Sequence, residues 1–530
     1  MRSLLKPVSA LVSAALLLSA FPFQTFAAVN EDLPENWDGR TGTFTYSLFG
    51  ETPVERYYYS DDYFSGSGKI LDPHLRTMSL DLAMAAFGDE KTHTDKQLAD
   101  LLNDLGFDKE KYVSFDYDGL IPTADTIACG ISSKATDDGD LVVVGIRGAN
   151  YGREWGSNFS SGKSGNAKGL SESADKVIKR LKDYEKDNDL KGAKIWISGY
   201  SRGGGVSDLT GKYINEHLDE FGITADDLYV YTFEAPRATF EDTNYENIHN
   251  VLNPYDLVPA VYPEQWELYN SGVDDVIFPA ETVTLTPKTV NINILKKKKE
   301  KEADPAISAA DFEADFLSFV TDNLSREEFS GMSGYISDIL VILMSKNQDD
   351  LVELLQVLKD KIRGSIDIKK AGKLLIHPTD SEEFSSAATS LVSGITDDLD
   401  FNSFSKYLSE QEFASLKGAI VPLFTAVLPL IAADLKSSSG AFYHFATLFE
   451  NAVSIFSQHD PELILEMVKN QDSYHTQDLA QKLASSDNNN NSGSSKAIII
   501  FAILGTGLLI AGICLLLISA KLKKRLRSNK

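Results

Sequence analysis

The sequence is short of cysteine and of basic residues. Two of its 530 residues are cysteines, Cys129 and Cys514, which leaves no basis for a disulfide network or a cysteine-based metal site. Lysine and arginine number 51 against 77 aspartates and glutamates, so the net charge is −26. This deficit of positive charge argues against nucleic acid as a partner, because nucleic-acid-binding proteins neutralise phosphates with basic residues. The fold must therefore rest on a hydrophobic core.

Apolar segments at the two ends of the chain differ in kind. Residues 1–28 combine Arg2 and Lys6 with a short apolar run and small residues suited to cleavage, which predicts a secretory signal peptide. Residues 497–520 carry no charge and would form a helix about 36 Å long, which predicts one transmembrane helix. The six lysines and arginines of residues 521–530 predict a cytoplasmic tail, because basic residues next to a membrane span are enriched on the cytoplasmic side of the membrane.

The segment before the predicted span indicates how the globular part is attached. Residues 485–496 are polar and have no apolar side chains to bury, so they predict a flexible stalk. Without the two cations of the signal peptide and the six of the tail, residues 29–496 carry a charge of −34. We therefore expect a single-pass protein of the cell membrane, with its N-terminal domain outside the cell and the C-terminal helix as its contact with the membrane.

Strand and helix patterns alternate from about residue 125 onward. Apolar runs of strand length alternate with apolar residues at helical spacing, which predicts crossover units and a mostly parallel sheet flanked by helices. Upstream, Asp72 is placed as a helix cap, Pro73 as the first helical residue and Gly88 as the stop. The predicted strands are 141–146, 195–198, 228–233 and 248–253, with a hairpin around residues 137–140.

The residue pattern of the sequence changes after residue 295. A charge run at 296–305 predicts a solvated loop, and helical patterns then cover much of residues 304–458. We predict that 304–458 is a helical cap or lid inserted into a core formed by 29–303 and 459–484. The apolar stretch 418–433 contains two prolines and is too short for a second span to be assigned, so it predicts a buried or groove-lining helix.

The segment "ISGYSRGGG" contains the pattern Gly-x-Ser-x-Gly around Ser201. The pattern alone is weak, because glycine and serine are common and a Gly-rich turn would fit equally well. Here it follows a predicted strand and begins a predicted helix, which is the setting of a nucleophile elbow. Ser201 is therefore the candidate nucleophile.

A serine nucleophile needs a histidine to take its proton and a carboxylate to orient that histidine. In hydrolases built on this type of sheet the order along the chain is serine, acid, histidine. Asp256 follows a predicted strand and is the candidate acid, although a turn-forming aspartate would look similar. His459 lies just before a predicted helix start and is the candidate base. The fallback residues are Asp274 and Asp275 for the acid, and His444, His475 and His377 for the base.

Two backbone N–H groups should bind the oxyanion that forms on the substrate. One is expected from Arg202, which follows the nucleophile, and the other from the loop after an earlier strand, where Gly148 and Ala149 are the candidates. Gly148 could equally serve only to turn the chain. Arg202 and Glu234 follow neighbouring strands, and we hypothesise that they form an ion pair.

Four segments in order resemble the class 3 lipases, the fungal-lipase-like branch of the α/β-hydrolase fold. They are "VVVGIRGAN", "IWISGYSRGGG", "YTFEAPRAT" and "NPYDLVP". The resemblance implies Ser201 as nucleophile, Asp256 as acid, and the N–H groups of Arg202 and Ala149 as the oxyanion hole. The chain departs from the family in having Glu234 where a glycine is expected and Ala149 where serine or threonine is usual. The "HDPE" and "GYSRGG" segments are similar to those of lipase-like surface proteins of Gram-positive bacteria.

The sequence therefore predicts a membrane-anchored serine hydrolase of lipase type acting on an acyl-ester lipid, with no metal or organic cofactor. Two alternatives remain open. One is an esterase or acyltransferase that handles short acyl groups of cell-envelope polymers, and the other is an inactive hydrolase fold used as a surface binding module.

Overall fold

The structure is a computed structural model, and it divides the chain into two compact units. One unit comprises residues 21–310 and 457–494, and the other includes residues 311–456. The predicted signal peptide, charge run, stalk, membrane span and tail lie outside the described residues. The role of 304–458 as a cap remains a prediction. The described residues are 39–47, 52–89, 92–117, 126–149, 154–254, 256, 258–277, 321–322, 324–344, 346, 348–365, 374, 376–379, 381–437, 459 and 461–471.

A mixed sheet lies at the centre of the first unit. Among the described residues it has seven strands, in the spatial order in which they occur along the chain. The first two pairings are antiparallel and the remaining four are parallel, which confirms the mostly parallel sheet. A separate antiparallel pair precedes it, formed by β1 (Arg40–Thr45) and β2 (Val54–Tyr59). The seven strands are β3 (Val113–Phe115), β4 (Cys129–Thr136), β5 (Gly139–Ile146), β6 (Lys194–Tyr200), β7 (Leu228–Phe233), β8 (Tyr245–Leu252) and β9 (Gly272–Val276).

The central strands are buried on both faces, as parallel strands flanked by helices must be. The predicted hairpin is confirmed: β4 and β5 pair antiparallel around a turn at Asp137 and Asp138, and Gly139, the first residue of β5, has φ +112°. The predicted strand 195–198 is longer in the structure, because Gly199 and Tyr200 continue the pairing with β7. Strand β8 begins three residues before its predicted start.

Helices flank the sheet. The helix predicted after Asp72 is α1 (Pro73–Ala85), and the Asp72 side chain accepts hydrogen bonds from two N–H groups of its first turn. It packs on β6, and the Trp196 indole of that strand donates to Ser79 Oγ at 2.8 Å. The other helices of this unit are α2 (Lys96–Asp104), α3 (Glu154–Asn158), α4 (Lys168–Asn188), α5 (Arg202–Glu216), α6 (Leu218–Phe221) and, far along the chain, α13 (Pro461–Gln471).

The described part of the second unit is helical, as predicted. Its longest helix, α12, contains Pro422 and Pro429 and covers the apolar stretch that the sequence assigns to a helix. Among the described residues, 410–430 of this helix form the one segment that is long and apolar enough to cross a membrane. An apolar stretch of 18 residues within it is 35% buried. The helices are α7 (Arg326–Gly331), α8 (Ser333–Met344), α9 (Gln348–Ser365), α10 (Glu382–Asp397), α11 (Phe401–Phe404) and α12 (Glu410–Ser437).

Candidate active site

Ser201 occupies the sharp turn between β6 and α5. Its backbone has φ +55° and ψ −122°, a combination that L-residues rarely adopt and that is found where surrounding structure enforces it. The Ser201 N–H donates to the carbonyl of Phe233 at 2.7 Å, which ties the turn to the end of β7. The strand-to-helix setting predicted for the elbow is thus confirmed, and the strained turn lifts the serine above the sheet edge.

Two glycines make this turn possible. A Cβ on Gly203 would lie 2.5 Å from the carbonyl oxygen of Ile146, and a Cβ on Gly199 would overlap the carbonyl of Gly203. Any larger residue at either position would push α5 away from the sheet. The pattern around Ser201 is therefore explained by close backbone packing.

The structure brings Ser201, Asp256 and His459 together in one row. Ser201 Oγ lies 2.9 Å from His459 Nε2, and His459 Nδ1 lies 2.5 Å from Asp256 Oδ2. A carboxylate can only accept, so Nδ1 carries the ring proton and Nε2 accepts from the serine hydroxyl. Ser201 keeps 8% of its surface exposed, and Asp256 is buried. The arrangement is that of a serine nucleophile with its base and orienting acid.

Asp256 is held by the backbone that follows β8. Its N–H donates to the Asn253 carbonyl at 3.0 Å, and its Oδ1 accepts from the Val258 N–H at 2.9 Å. The fallback acids have other partners: Asp275 forms an ion pair with Arg76 at 2.6 Å, and Asp274 accepts from the Asn250 amide at 3.3 Å. Both lie in β9.

His459 lies just before α13, on the loop position that the sequence indicates. The Tyr200 hydroxyl donates to the His459 carbonyl at 2.8 Å, and the two rings are 5.1 Å apart between centroids. Of the fallback bases, His377 belongs to the helical unit, whereas His444 and His475 lie outside the described residues.

A buried ion pair fixes the helix that follows His459. Lys469 in α13 binds Glu55 in β2 at 2.9 Å, and the two side chains are 1% and 7% exposed. Helix α13 also packs against α1, which lies on β6. Consequently, the loop that carries His459 is anchored close to the strand that carries the nucleophile turn.

The predicted oxyanion-binding residues lie around Ser201. Arg202 is the first residue of α5, where backbone N–H groups point out of the helix end. Gly148 follows β5 and is so close to the turn that a Cβ would lie 2.9 Å from the Tyr200 carbonyl oxygen. Ala149 is buried beside it. The oxyanion-binding roles of these three residues remain predictions.

The hypothesised ion pair between Arg202 and Glu234 is wrong. The Arg202 guanidinium turns towards α3 and α4, where it donates to Ser157 Oγ and Ser173 Oγ, each at 2.9 Å. The Glu234 carboxyl group instead accepts from the Asn253 N–H at 2.8 Å and lies near Asp256. Residues that follow neighbouring strands can thus have side chains with entirely different partners.

Glu234 is therefore part of the site in a way that sequence patterns did not indicate. It is fully buried and has φ +49°, in the left-handed region that glycine favours. Burial, followed by the negative charge of Asp256, raises the pKa of Glu234 well above its usual value. The signal in the sequence was the glutamate itself, at a position where the family resemblance leads one to expect glycine.

Comparison with known proteins gives one family match. Residues 143–266 match the family described as Lipase (class 3), and this segment holds Ser201 and Asp256 but ends before His459. No curated protein matches the chain.

Among the similar solved structures, three each have a TM-score of 0.28. One is a triacylglycerol lipase whose catalytic centre is formed by a serine protease triad, with 17% identity, covering 38% of this chain and 77% of that chain. Another is the Rhizomucor miehei lipase propeptide complex, with 14% identity and coverage of 49% and 84%. Lipase II from Rhizopus niveus has 13% identity and coverage of 38% and 81%.

Proposed function

We propose that this chain, a carboxylic ester hydrolase that belongs to the class 3 lipase family through residues 143–266, cleaves acyl-ester lipids from a membrane anchor outside the cytoplasm. The row formed by Ser201, His459 and Asp256 carries the proposal. Its two hydrogen bonds, at 2.9 and 2.5 Å, supply the base and the orienting charge that a serine hydroxyl needs.

The reaction runs through an acyl-enzyme. Ser201 Oγ attacks the ester carbonyl carbon while His459 Nε2 takes the hydroxyl proton, and the carbonyl electron pair moves onto oxygen. The N–H of Arg202, with that of Ala149 or Gly148, is proposed to bind this oxyanion. His459 then returns the proton to the departing alcohol. Water repeats the sequence and releases the carboxylic acid and the free serine.

Asp256 acts by orienting and stabilising the histidine. Its carboxylate accepts the Nδ1 proton of His459, which fixes the tautomer that leaves Nε2 free to take the serine proton. The same negative charge stabilises the imidazolium that forms during attack. Because Asp256 is buried, little water competes for these interactions.

A lipid as substrate and a location outside the cell are supported by different features. The class 3 lipase match supports an acyl-ester lipid. The predicted signal peptide of residues 1–28, the predicted span of 497–520 and the basic tail support a single-pass anchor with the hydrolase unit outside.

Active-site labelling of the full-length protein tests the catalytic assignment. A fluorophosphonate probe should label the native chain and a Ser164→Ala control, whose serine is exposed and distant in sequence from the triad. Ser201→Ala should abolish labelling, and His459→Ala should slow ester hydrolysis by about 10³-fold or more. Labelling that persists in Ser201→Ala would refute Ser201 as the nucleophile.

A series of chromogenic esters tests the lipid part of the proposal. We expect the specificity constant, kcat/KM, to rise with acyl length, because each further buried methylene adds about 0.8 kcal/mol of transfer free energy. A maximum at acetyl esters, falling with longer chains, would instead favour an esterase for short acyl groups.

A further inference from the structure

Glu234 is a buried acid that the catalytic steps above do not use. It follows the last residue of β7 and lies next to Asn253 and Asp256, which follow β8. Its backbone conformation, with φ +49°, would be easier for glycine. The chain thus accepts both backbone strain and the burial of a carboxyl group at this position, which requires a compensating interaction.

The hydrogen bonds of Glu234 assign its proton. Oε1 accepts from the Asn253 N–H at 2.8 Å. Oε2 is buried and meets no N–H or O–H donor among the described residues. Asp256 is held beside Glu234 through Asn253, whose N–H binds Glu234 and whose carbonyl accepts from the Asp256 N–H at 3.0 Å. Two buried carboxylates in contact cannot both be charged, so one of them must carry a proton and donate it to the other.

The proton belongs to Glu234, because Asp256 is the better acceptor. Asp256 already receives two N–H groups, from Val258 at 2.9 Å and from His459 Nδ1 at 2.5 Å. Glu234 receives one, from Asn253. Hydrogen bonds donated to a carboxylate stabilise its charged form, so the negative charge resides on Asp256.

We propose that Glu234 is a neutral carboxylic acid that donates a hydrogen bond to Asp256 and so positions the acid of the triad. The inference rests on the proposed serine hydrolase function and adds a residue behind the triad. Glu234 touches neither the serine nor the histidine in this role. Its proton stays on Glu234 throughout the reaction, and no bond to substrate is made.

The donated hydrogen bond has a defined electrostatic consequence. It draws part of the Asp256 charge away from His459, so the imidazolium is stabilised less than it would be by a carboxylate without this donor. The charges involved are those of Asp256, which faces Glu234, and of His459, which faces Asp256. Removing the donor should therefore move the acidic limb of the activity profile to a higher pH.

Three variants separate hydrogen bonding from packing. Glu234→Gln keeps an acceptor for the Asn253 N–H and a donor for Asp256, and it cannot ionise. Glu234→Met keeps the length of the side chain but has no donor. Glu234→Gly also has no donor but relieves the positive φ, so it provides a folded donor-free variant in case Glu234→Met does not fold.

The pH profile of ester hydrolysis by the full-length protein is the main measurement. Glu234→Gln should retain kcat within about threefold, with the acidic limb of the profile unchanged. Glu234→Met and Glu234→Gly should lose about tenfold or more in kcat, with KM unchanged and the acidic limb moved upward by about half a pH unit or more. In parallel, proton NMR follows the Nδ1 proton of His459, assigned with His459→Ala; its resonance should move in the donor-free variants and stay in Glu234→Gln.

Two results would overturn the proposal. If Glu234→Gln is impaired as severely as Glu234→Met, the side chain does not act as a neutral donor. If all three variants keep the native profile and resonance, Glu234 is only a structural residue. A native protein that fails to react with the fluorophosphonate probe would refute the proposed function instead, and the NMR comparison would still decide the role of Glu234.

Discussion

Ser201 and Glu234 both have positive φ, +55° and +49°, although neither is glycine. Such a conformation costs about 1–3 kcal/mol and persists only where the surrounding structure enforces it. The two residues are joined through backbone bonds at the same edge of the sheet: the Ser201 N–H binds the Phe233 carbonyl, and the Glu234 N–H binds the Val251 carbonyl at 3.0 Å. Two strained residues therefore lie at the sheet edge that carries the catalytic groups.

Tyr200 directly precedes the nucleophile, and its side chain contacts the histidine that acts as the base. Tyr200→Phe removes the hydroxyl that donates to the His459 carbonyl at 2.8 Å, so the histidine loop should become less well positioned. We expect kcat to fall about three- to tenfold and the free energy of unfolding to fall by about 1 kcal/mol. Steady-state kinetics and thermal unfolding measure the two effects.

Tyr184→Phe is the matched control for that experiment. The Tyr184 hydroxyl, which this variant lacks, donates to Ser133 Oγ at 2.9 Å in a buried position away from the triad. It should lose a similar amount of stability and keep its kcat. Equal losses of kcat in the two variants would mean that Tyr200 acts through general stability alone.

Helix α13 matters because the base of the triad immediately precedes it. Its Lys469 pairs with Glu55 of β2 in the core, and breaking a buried pair leaves an uncompensated charge. Lys469→Met should reduce the free energy of unfolding by about 3 kcal/mol, and it should lower ester hydrolysis by displacing His459. Denaturant unfolding and the specificity constant test both effects.

The double variant Lys469→Met with Glu55→Gln should recover most of the lost stability, because no charge is then buried without a partner. An exposed pair, Lys96 with Asp100, provides the comparison: its side chains are 69% and 61% exposed, so Lys96→Met should leave stability unchanged. If the double variant is no more stable than Lys469→Met, the penalty comes from packing and not from charge.

At the scale of the whole molecule, the predicted span should decide where the protein is found. Full-length protein should sediment with membranes and resist alkaline extraction, because a 24-residue apolar helix is inserted almost irreversibly. A chain that ends at residue 484 should be soluble, helped by the strongly acidic composition of the segment outside the membrane. Fractionation followed by immunoblotting measures both.

A variant that lacks only residues 521–530 is the control for this fractionation. It should still sediment with membranes, since the basic tail determines orientation and not insertion. Recovery of the full-length protein in the soluble fraction would contradict the predicted anchor.

Local signals account for what the sequence predicted well. The Asp72 cap, the β4–β5 hairpin and the Ser201 turn each depend on residues within a few positions of one another, and periodicity or glycine spacing reveals them. His459 was also placed by a local cue, a loop before a helix start, and the structure puts it 2.9 Å from Ser201 Oγ although 258 residues separate them.

Contacts between distant parts of the chain were beyond the sequence. The hypothesised pairing of Arg202 with Glu234 was wrong because the proximity of two strand ends does not fix the direction of their side chains. The hydroxyl bond from Tyr200 to His459 spans 259 residues, and the ion pair of Glu55 with Lys469 spans 414. No pattern of neighbouring residues encodes such pairs.

By itself, the sequence indicated most of the elements and the nucleophile turn, because these follow from the preferences of adjacent residues. It also placed serine, acid and histidine in the order found in hydrolases of this sheet type. Only the tertiary structure decided that Glu234 is buried near Asp256 and that Lys469 anchors the helix behind His459. The physical reason is that burial and the exclusion of water, which give those contacts their strength, exist only once the sheet and its helices have packed together.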